Sequence, residues 1–89
     1  MISESITIIN KLGLHARAAS KLVNCASQFE SEVFITRKGN RVNAKSIMGV
    51  MMLAASKGVE LELEVEGDDE KECRDALVEL INDRFGENE

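Results

Sequence analysis

The 89-residue sequence is 44% hydrophobic and 30% charged, and its net charge of −5 conceals a division: residues 1–57 carry eight Lys and Arg against three Glu, residues 58–89 three against thirteen Asp and Glu. One domain with a modest core fits this length, which excludes a deep substrate cleft, and the absence of any apolar run near the roughly 18 residues of a membrane span, or of a secretory signal at Met1–Ser5, predicts a cytoplasmic protein without membrane insertion. The acidic final third argues against generic nucleic-acid binding, whereas the basic remainder suits a phosphate or an acidic partner.

Ile2, Ile6 and Ile8 share one parity through a stretch running to Ile9, the alternation of a half-buried strand. Asn10-Lys11-Leu12-Gly13 is a connection, and Ala19, Leu22, Val23 and Ala26 then recur at helical spacing, predicting a helix over about His15 to Ser27. Val33-Phe34-Ile35 reads as a second strand, turned by Lys38-Gly39-Asn40 into a third around Val42. Ser46 is placed as the N-cap of a short helix through Ala55, with Val50, Leu53 and Ala54 directed inward and Lys57-Gly58 as its end.

Val59, Leu61, Leu63 and Val65 alternate with Glu60, Glu62 and Glu64, the clearest strand in the sequence, with one face in the core and one in water. Gly67-Asp68-Asp69-Glu70 opens a last helix, in which Asp69 and Glu72 have capping-box spacing and Cys73, Ala76, Leu77, Leu80 and Ile81 form the buried stripe, with Gly86 as terminator. The order β-α-β-β-α-β-α, with one wet sheet face, predicts a two-layer sandwich whose helices cover the other face. Cys25 and Cys73 lack metal-ligand or disulfide-framework spacing and read as small buried apolar residues, and no cofactor or metal motif is apparent.

His15, the only histidine, falls where the first connection turns into a helix. The first N–H groups of a helix lack intrahelical partners and carry partial positive charge, so an anion attached to a histidine there meets ready donors, and the same field favours the neutral, nucleophilic ring. Arg17 adds a permanent cation for charge-assisted bonds, and Gly13 permits a sharp turn before the helix. Once the second helix has buried one side, Ile47, Met48, Met51 and Met52 are left as an exposed apolar patch of adaptable side chains. Phosphorylation of Ser46 at the edge of this patch would add about −1.5 to −2 charges and weaken docking to an acidic partner.

Gly13-Leu14-His15-Ala16-Arg17, followed by Lys45-Ser46-Ile47-Met48-Gly49-Val50, resembles the HPr family of histidine-containing phosphocarriers of the bacterial phosphoenolpyruvate-dependent phosphotransferase system. The resemblance spans essentially the whole chain. It implies an α+β, open-faced β-sandwich in which three helices cover one face of a four-stranded antiparallel sheet of order 1-4-2-3. It also implies a carrier, dependent on partner enzymes, that takes a phosphoryl group on Nδ1 of His15 from phosphorylated enzyme I. The group would pass to an enzyme IIA protein in sugar uptake. By the same resemblance, Ala16, Arg17 and Ala18 stabilise the phosphoryl group, Leu14, Ile47, Met48, Met51 and Met52 dock the partners, and Ser46 matches the serine modified by HPr kinase/phosphorylase.

Ala18 stands where the commonest family pattern has proline, a change that supplies one more N–H donor to the first turn. The histidine motif is shared with a nitrogen-related branch, whereas the stretch from Lys45 to Val50 looks more like the carbohydrate branch. A rival reading is a regulatory interaction module that uses the Ile47/Met48/Met51 patch and never loads His15. Replacing His15 would leave its binding intact. A small metabolite enzyme fits less well, since no second acid or base lies near His15 in sequence, and a monomer is expected because a carrier presents one face to successive partners.

Overall fold

The computed structural model describes residues 1–89. The Leu61, Leu63, Val65 alternation builds β4 (Glu60–Glu66), and β4 organises the sheet by pairing antiparallel with β1 (Ile2–Thr7) on one side and β2 (Glu32–Arg37) on the other. β3 (Asn40–Asn43) extends β2 as an antiparallel hairpin, so the order is β1-β4-β2-β3, as the resemblance implied. The register sets Ile6 opposite Leu61, and Val33 and Ile35 opposite Val65 and Leu63. All six side chains are buried on the helix-covered face.

The other face carries Glu60, Glu62, Glu64 and Glu66 with Arg41, whose guanidinium lies 3.7 Å from the centre of the Phe34 ring and bonds Glu64 at 3.0 Å. Two charged residues break the division: Glu4 lies on the core side of β1, where Arg74 from the last helix meets it at 2.9 Å, and Arg37 shares the face of Val33 and Ile35 on β2. Three helices supply the second layer: α1 (Ala16–Ser27), α2 (Ile47–Met52) and α3 (Glu70–Asn82). The expected stripes hold, with Ala19, Leu22, Val23 and Ala26 of α1 and Cys73, Leu77 and Ile81 of α3 buried, while Ala76 and Leu80 are half-buried. No helix is long and apolar enough to cross a membrane.

Several expectations need correction. α2 ends at Met52, not at Ala55, because Leu53 caps it and Ala54 turns to φ +51°; this exposes Ala54 and buries Ala55 in its place. Arg37 stabilises this end by donating to the carbonyls of Leu53 at 2.7 Å and Ala54 at 3.0 Å. α3 has no capping box. The Asp69 carboxylate accepts instead from the Ser31 hydroxyl and from the N–H groups of Glu30 and Ser31 at 2.9 and 3.0 Å, bonds that hold it below the usual carboxylate range.

α3 also stops before Gly86: Arg84 and Phe85 adopt φ of +55° and +54° in a short 3-10 turn that drives the Phe85 ring into the core. Cys25 is half-buried, not buried, and Cys73 is buried as expected, which pushes its thiol up to about 11. Partial burial raises the Cys25 thiol as well, and a raised thiol is a poorer source of reactive thiolate.

Candidate functional site

His15 ends the β1–α1 connection as the N-cap of α1, and its side chain caps nothing. Its carbonyl accepts from Ala19 N–H at 2.8 Å, the first such bond of the helix, so the N–H groups of Ala16, Arg17 and Ala18 have no acceptor within α1. Arg17 is exposed and forms no ion pair or hydrogen bond in the chain. Most other cations of the basic portion are committed elsewhere: Lys21 to the Phe85 carbonyl, Lys45 to the Phe29 carbonyl, Arg37 to α2 and Arg41 to Glu64. Arg17 is therefore the guanidinium left beside three free donors at one helix end, an arrangement able to hold a phosphoryl group attached to the His15 ring.

The loop that presents His15 is built tightly. Asn10, fully buried, donates from Nδ2 to the Gly13 carbonyl at 2.8 Å, and Gly13 N–H returns a bond to the Asn10 carbonyl at 3.2 Å. Leu14 N–H bonds the Ala55 carbonyl at 2.8 Å and ties the loop to the segment that follows α2. Leu14, expected on the docking surface, is 6% exposed and belongs to the core, since its side chain anchors the loop from beneath.

Gly13 is needed for two reasons: its φ is +70°, and a Cβ there would sit 2.5 Å from the Ala55 oxygen and 2.8 Å from Ser56 Cα. Gly13→Ala is expected to cost about 2 kcal/mol from left-handed strain and the forced separation of the two loops. A lowered thermal unfolding midpoint checks this, together with displaced His15 ring resonances in the NMR spectrum.

The ring is half-exposed, and Nε2 is hydrogen-bonded to a Glu87 carboxylate oxygen, while Nδ1 has no partner in the chain. The other Glu87 oxygen accepts from Asn10 Nδ2 at 3.1 Å. The His15 bond, and after it the Asn10 bond, hold the Glu87 carboxyl below its ordinary range. Glu87 is the acid that His15 lacks among its neighbours in sequence: it lies 72 positions away, and nothing in the Gly86-Glu87-Asn88-Glu89 composition marks it. No concavity of the surface is lined by His15. An open face suits a group met by another protein better than a small substrate.

α2 stands beside this loop. Ser46 caps it by accepting Gly49 N–H at 3.1 Å, a bond worth about 1 kcal/mol. Val50 points inward, while Ile47, Met48, Met51 and Met52 are exposed, Met48 by 72% and Met52 by 78%. Leu12, 68% exposed in the His15 loop, is a further large apolar side chain, one that its place in a connection hides in the sequence. Its signal was an apolar residue in a turn between Lys11 and Gly13.

The family model described as "PTS HPr component phosphorylation site" matches residues 2–83. The chain is 61% identical over 89 residues to the phosphocarrier protein HPr of Neisseria meningitidis and 57% identical over 89 residues to that of Cupriavidus necator, covering all of both chains in each case. The crystal structure of HPr-C-His from Thermoanaerobacter tengcongensis superposes with a TM-score of 0.96 at 48% identity, again over the full length of both chains. Sequence and fold thus agree from end to end, and the chain belongs to the HPr family: it is a phosphocarrier of the phosphotransferase system and not an enzyme.

Proposed function

We propose that this phosphocarrier accepts its phosphoryl group on Nδ1 of His15 from phosphorylated enzyme I, with phosphoenolpyruvate as ultimate donor, and passes it to a histidine of an enzyme IIA protein in sugar uptake. The observation that carries this reading is the end of α1, where His15, its Nδ1 unengaged, is the N-cap of a helix whose first three N–H groups lack intrahelical acceptors and whose Arg17 is unpaired. Phosphoryl transfer asks for little beyond a positioned nucleophile and a preorganised anion cradle. This site offers both.

In this reading Ala16 and Arg17 supply backbone donors, Ala18 adds a third, and the Ile47/Met48/Met51/Met52 surface docks both partners, with Leu14 supporting the loop from the core. Ser46 is the regulatory position: a phosphate there would place negative charge at the border of the apolar surface and repel an acidic partner. HPr kinase/phosphorylase is the corresponding modifying enzyme. The carrier acts in the cytoplasm as a monomer.

Incubation with enzyme I, Mg²⁺ and phosphoenolpyruvate, followed by phosphorus NMR, tests the relay. The expected result is one acid-labile phosphohistidine in the intact protein and none in His15→Ala. Folded protein that takes up no phosphoryl group from competent enzyme I would overturn the reading.

A further inference from the structure

The segment after α3 is fastened over His15 at several points. Phe85 is wholly buried, its carbonyl accepts from Lys21 Nζ at 2.6 Å, and Glu87 N–H bonds the Arg84 carbonyl at 2.9 Å. Beyond Glu87, the Glu89 carbonyl accepts from Lys11 N–H at 2.7 Å. The Glu87 side chain is thereby brought back to the His15 loop, where Asn10 orients one carboxylate oxygen and His15 Nε2 meets the other.

An ionised carboxylate can only accept hydrogen bonds. The neutral His15 ring facing it must therefore carry its proton on Nε2, which leaves the lone pair on Nδ1, the nitrogen that has no partner.

We propose that Glu87 is a positioning residue for phosphoryl transfer, fixing His15 in the Nε2–H tautomer and balancing the positive charge that the ring acquires when Nδ1 is loaded. The inference rests on the reading of His15 as the carrier. In the loading step the Nδ1 lone pair attacks the phosphorus of a partner's phosphohistidine. A P–Nδ1 bond forms, the donor's P–N bond breaks, and its electron pair stays on the donor nitrogen. Nε2 keeps its proton throughout, so one positive charge moves from the donor ring to the His15 ring, where the Glu87 carboxylate meets it. On unloading, the P–Nδ1 electron pair returns to the ring and the charge disappears.

A buried Asp or Glu behind a reactive histidine commonly has this orienting role, but Glu87 reaches His15 from a distant part of the chain and on a half-exposed site. Its effect should accordingly be modest: loading of Glu87→Ala slower by about tenfold, the low end for loss of such an orienting partner.

The test compares the full-length protein with Glu87→Ala and Glu87→Gln. Ring-nitrogen NMR on the alkaline side of the His15 titration reads the tautomer, and transfer from phosphorylated enzyme I reads the loading rate. The unsubstituted protein should show the Nε2–H form, and Glu87→Ala a mixture of tautomers with slower loading. Glu87→Gln, whose amide oxygen still accepts Nε2–H but carries no charge, should keep the tautomer and load at an intermediate rate.

A purely structural role would not move the tautomer. If Glu87→Ala keeps either the Nε2–H form or the original loading rate, the proposal is overturned. Failure of the carrier reading is separately visible, because the unsubstituted protein would then take up no phosphoryl group while its ring still showed the Nε2–H form.

Discussion

Phe85→Ala is expected to remove about 3–5 kcal/mol of folding stability, the range for truncating a buried aromatic residue with its cavity left open. Phe85 is the largest of the fully buried side chains and lies in the same core cluster as Leu22, Leu77 and Ile81. It holds that place against its backbone, since φ of +54° is an outlier for a bulky residue and costs of order 1–3 kcal/mol. Burial of the ring is what sustains the conformation, so alanine loses the packing while retaining the strain. A domain with a total stability of about 5–15 kcal/mol would be left marginal.

The loss should also be felt at the site, because the carbonyl that Lys21 grips and the turn that returns Glu87 to His15 both belong to this segment. Urea denaturation measures the stability change, and amide exchange at Glu87 measures release of the segment. Phe85→Leu, which keeps most of the volume, should cost only about 1 kcal/mol. A loss below about 1 kcal/mol for alanine would mean that the ring lies outside the cooperative core and the segment frays independently.

Phe85 also illustrates where sequence reading stops. Features set by neighbours in the chain were legible: the glutamate alternation that makes β4, the helical spacing of Leu22, Val23 and Ala26, and Ser46 as a cap whose hydroxyl receives Gly49 N–H. His15 at the start of α1 was legible for the same reason, and so was the apolar surplus on α2. Features decided by competition with remote groups were not.

Asp69 has local spacing for a capping box, yet Ser31 and the N–H of Glu30, from the loop before β2, outcompete the helix for its carboxylate. The strand order came from resemblance and not from periodicity, because alternation says which face of a strand is buried and nothing about which strand lies beside it. Leu14 was assigned to the surface from its place in a motif, whereas the bond from Leu14 N–H to the Ala55 carbonyl turns the residue inward. Glu87 combines both difficulties, being polar, far along the chain and delivered by a left-handed turn with no glycine at Arg84 or Phe85 to announce it.

Met48→Glu is expected to raise the KM for the donor in the proposed relay by about tenfold or more while leaving kcat at saturation near its original value. Met48 is among the most exposed apolar side chains of the protein and sits in the first turn of α2, away from the buried Val50. A carboxylate there should not harm the fold. The first turn of α2 holds no acidic residue, and negative charge near a helix N-terminus is favourable, so the unfolding midpoint should stay within the small range of surface substitutions.

Docking is different, since covering the patch would desolvate the new charge without a partner, and as little as 1.4 kcal/mol of that penalty is already tenfold in affinity. Chemistry at His15 should be spared once the complex has formed, because the loop bonds among Asn10, Gly13, Leu14 and Ala55 do not involve Met48. Met48→Leu, apolar and of similar size, should behave like the parent in steady-state transfer kinetics. An unchanged KM in Met48→Glu would move the docking surface away from α2, with Leu12 in the His15 loop as the next apolar side chain to substitute. A raised KM would give Ser46 its physical meaning, because a phosphate on that N-cap would place charge two residues from Met48, at the edge of the same apolar surface.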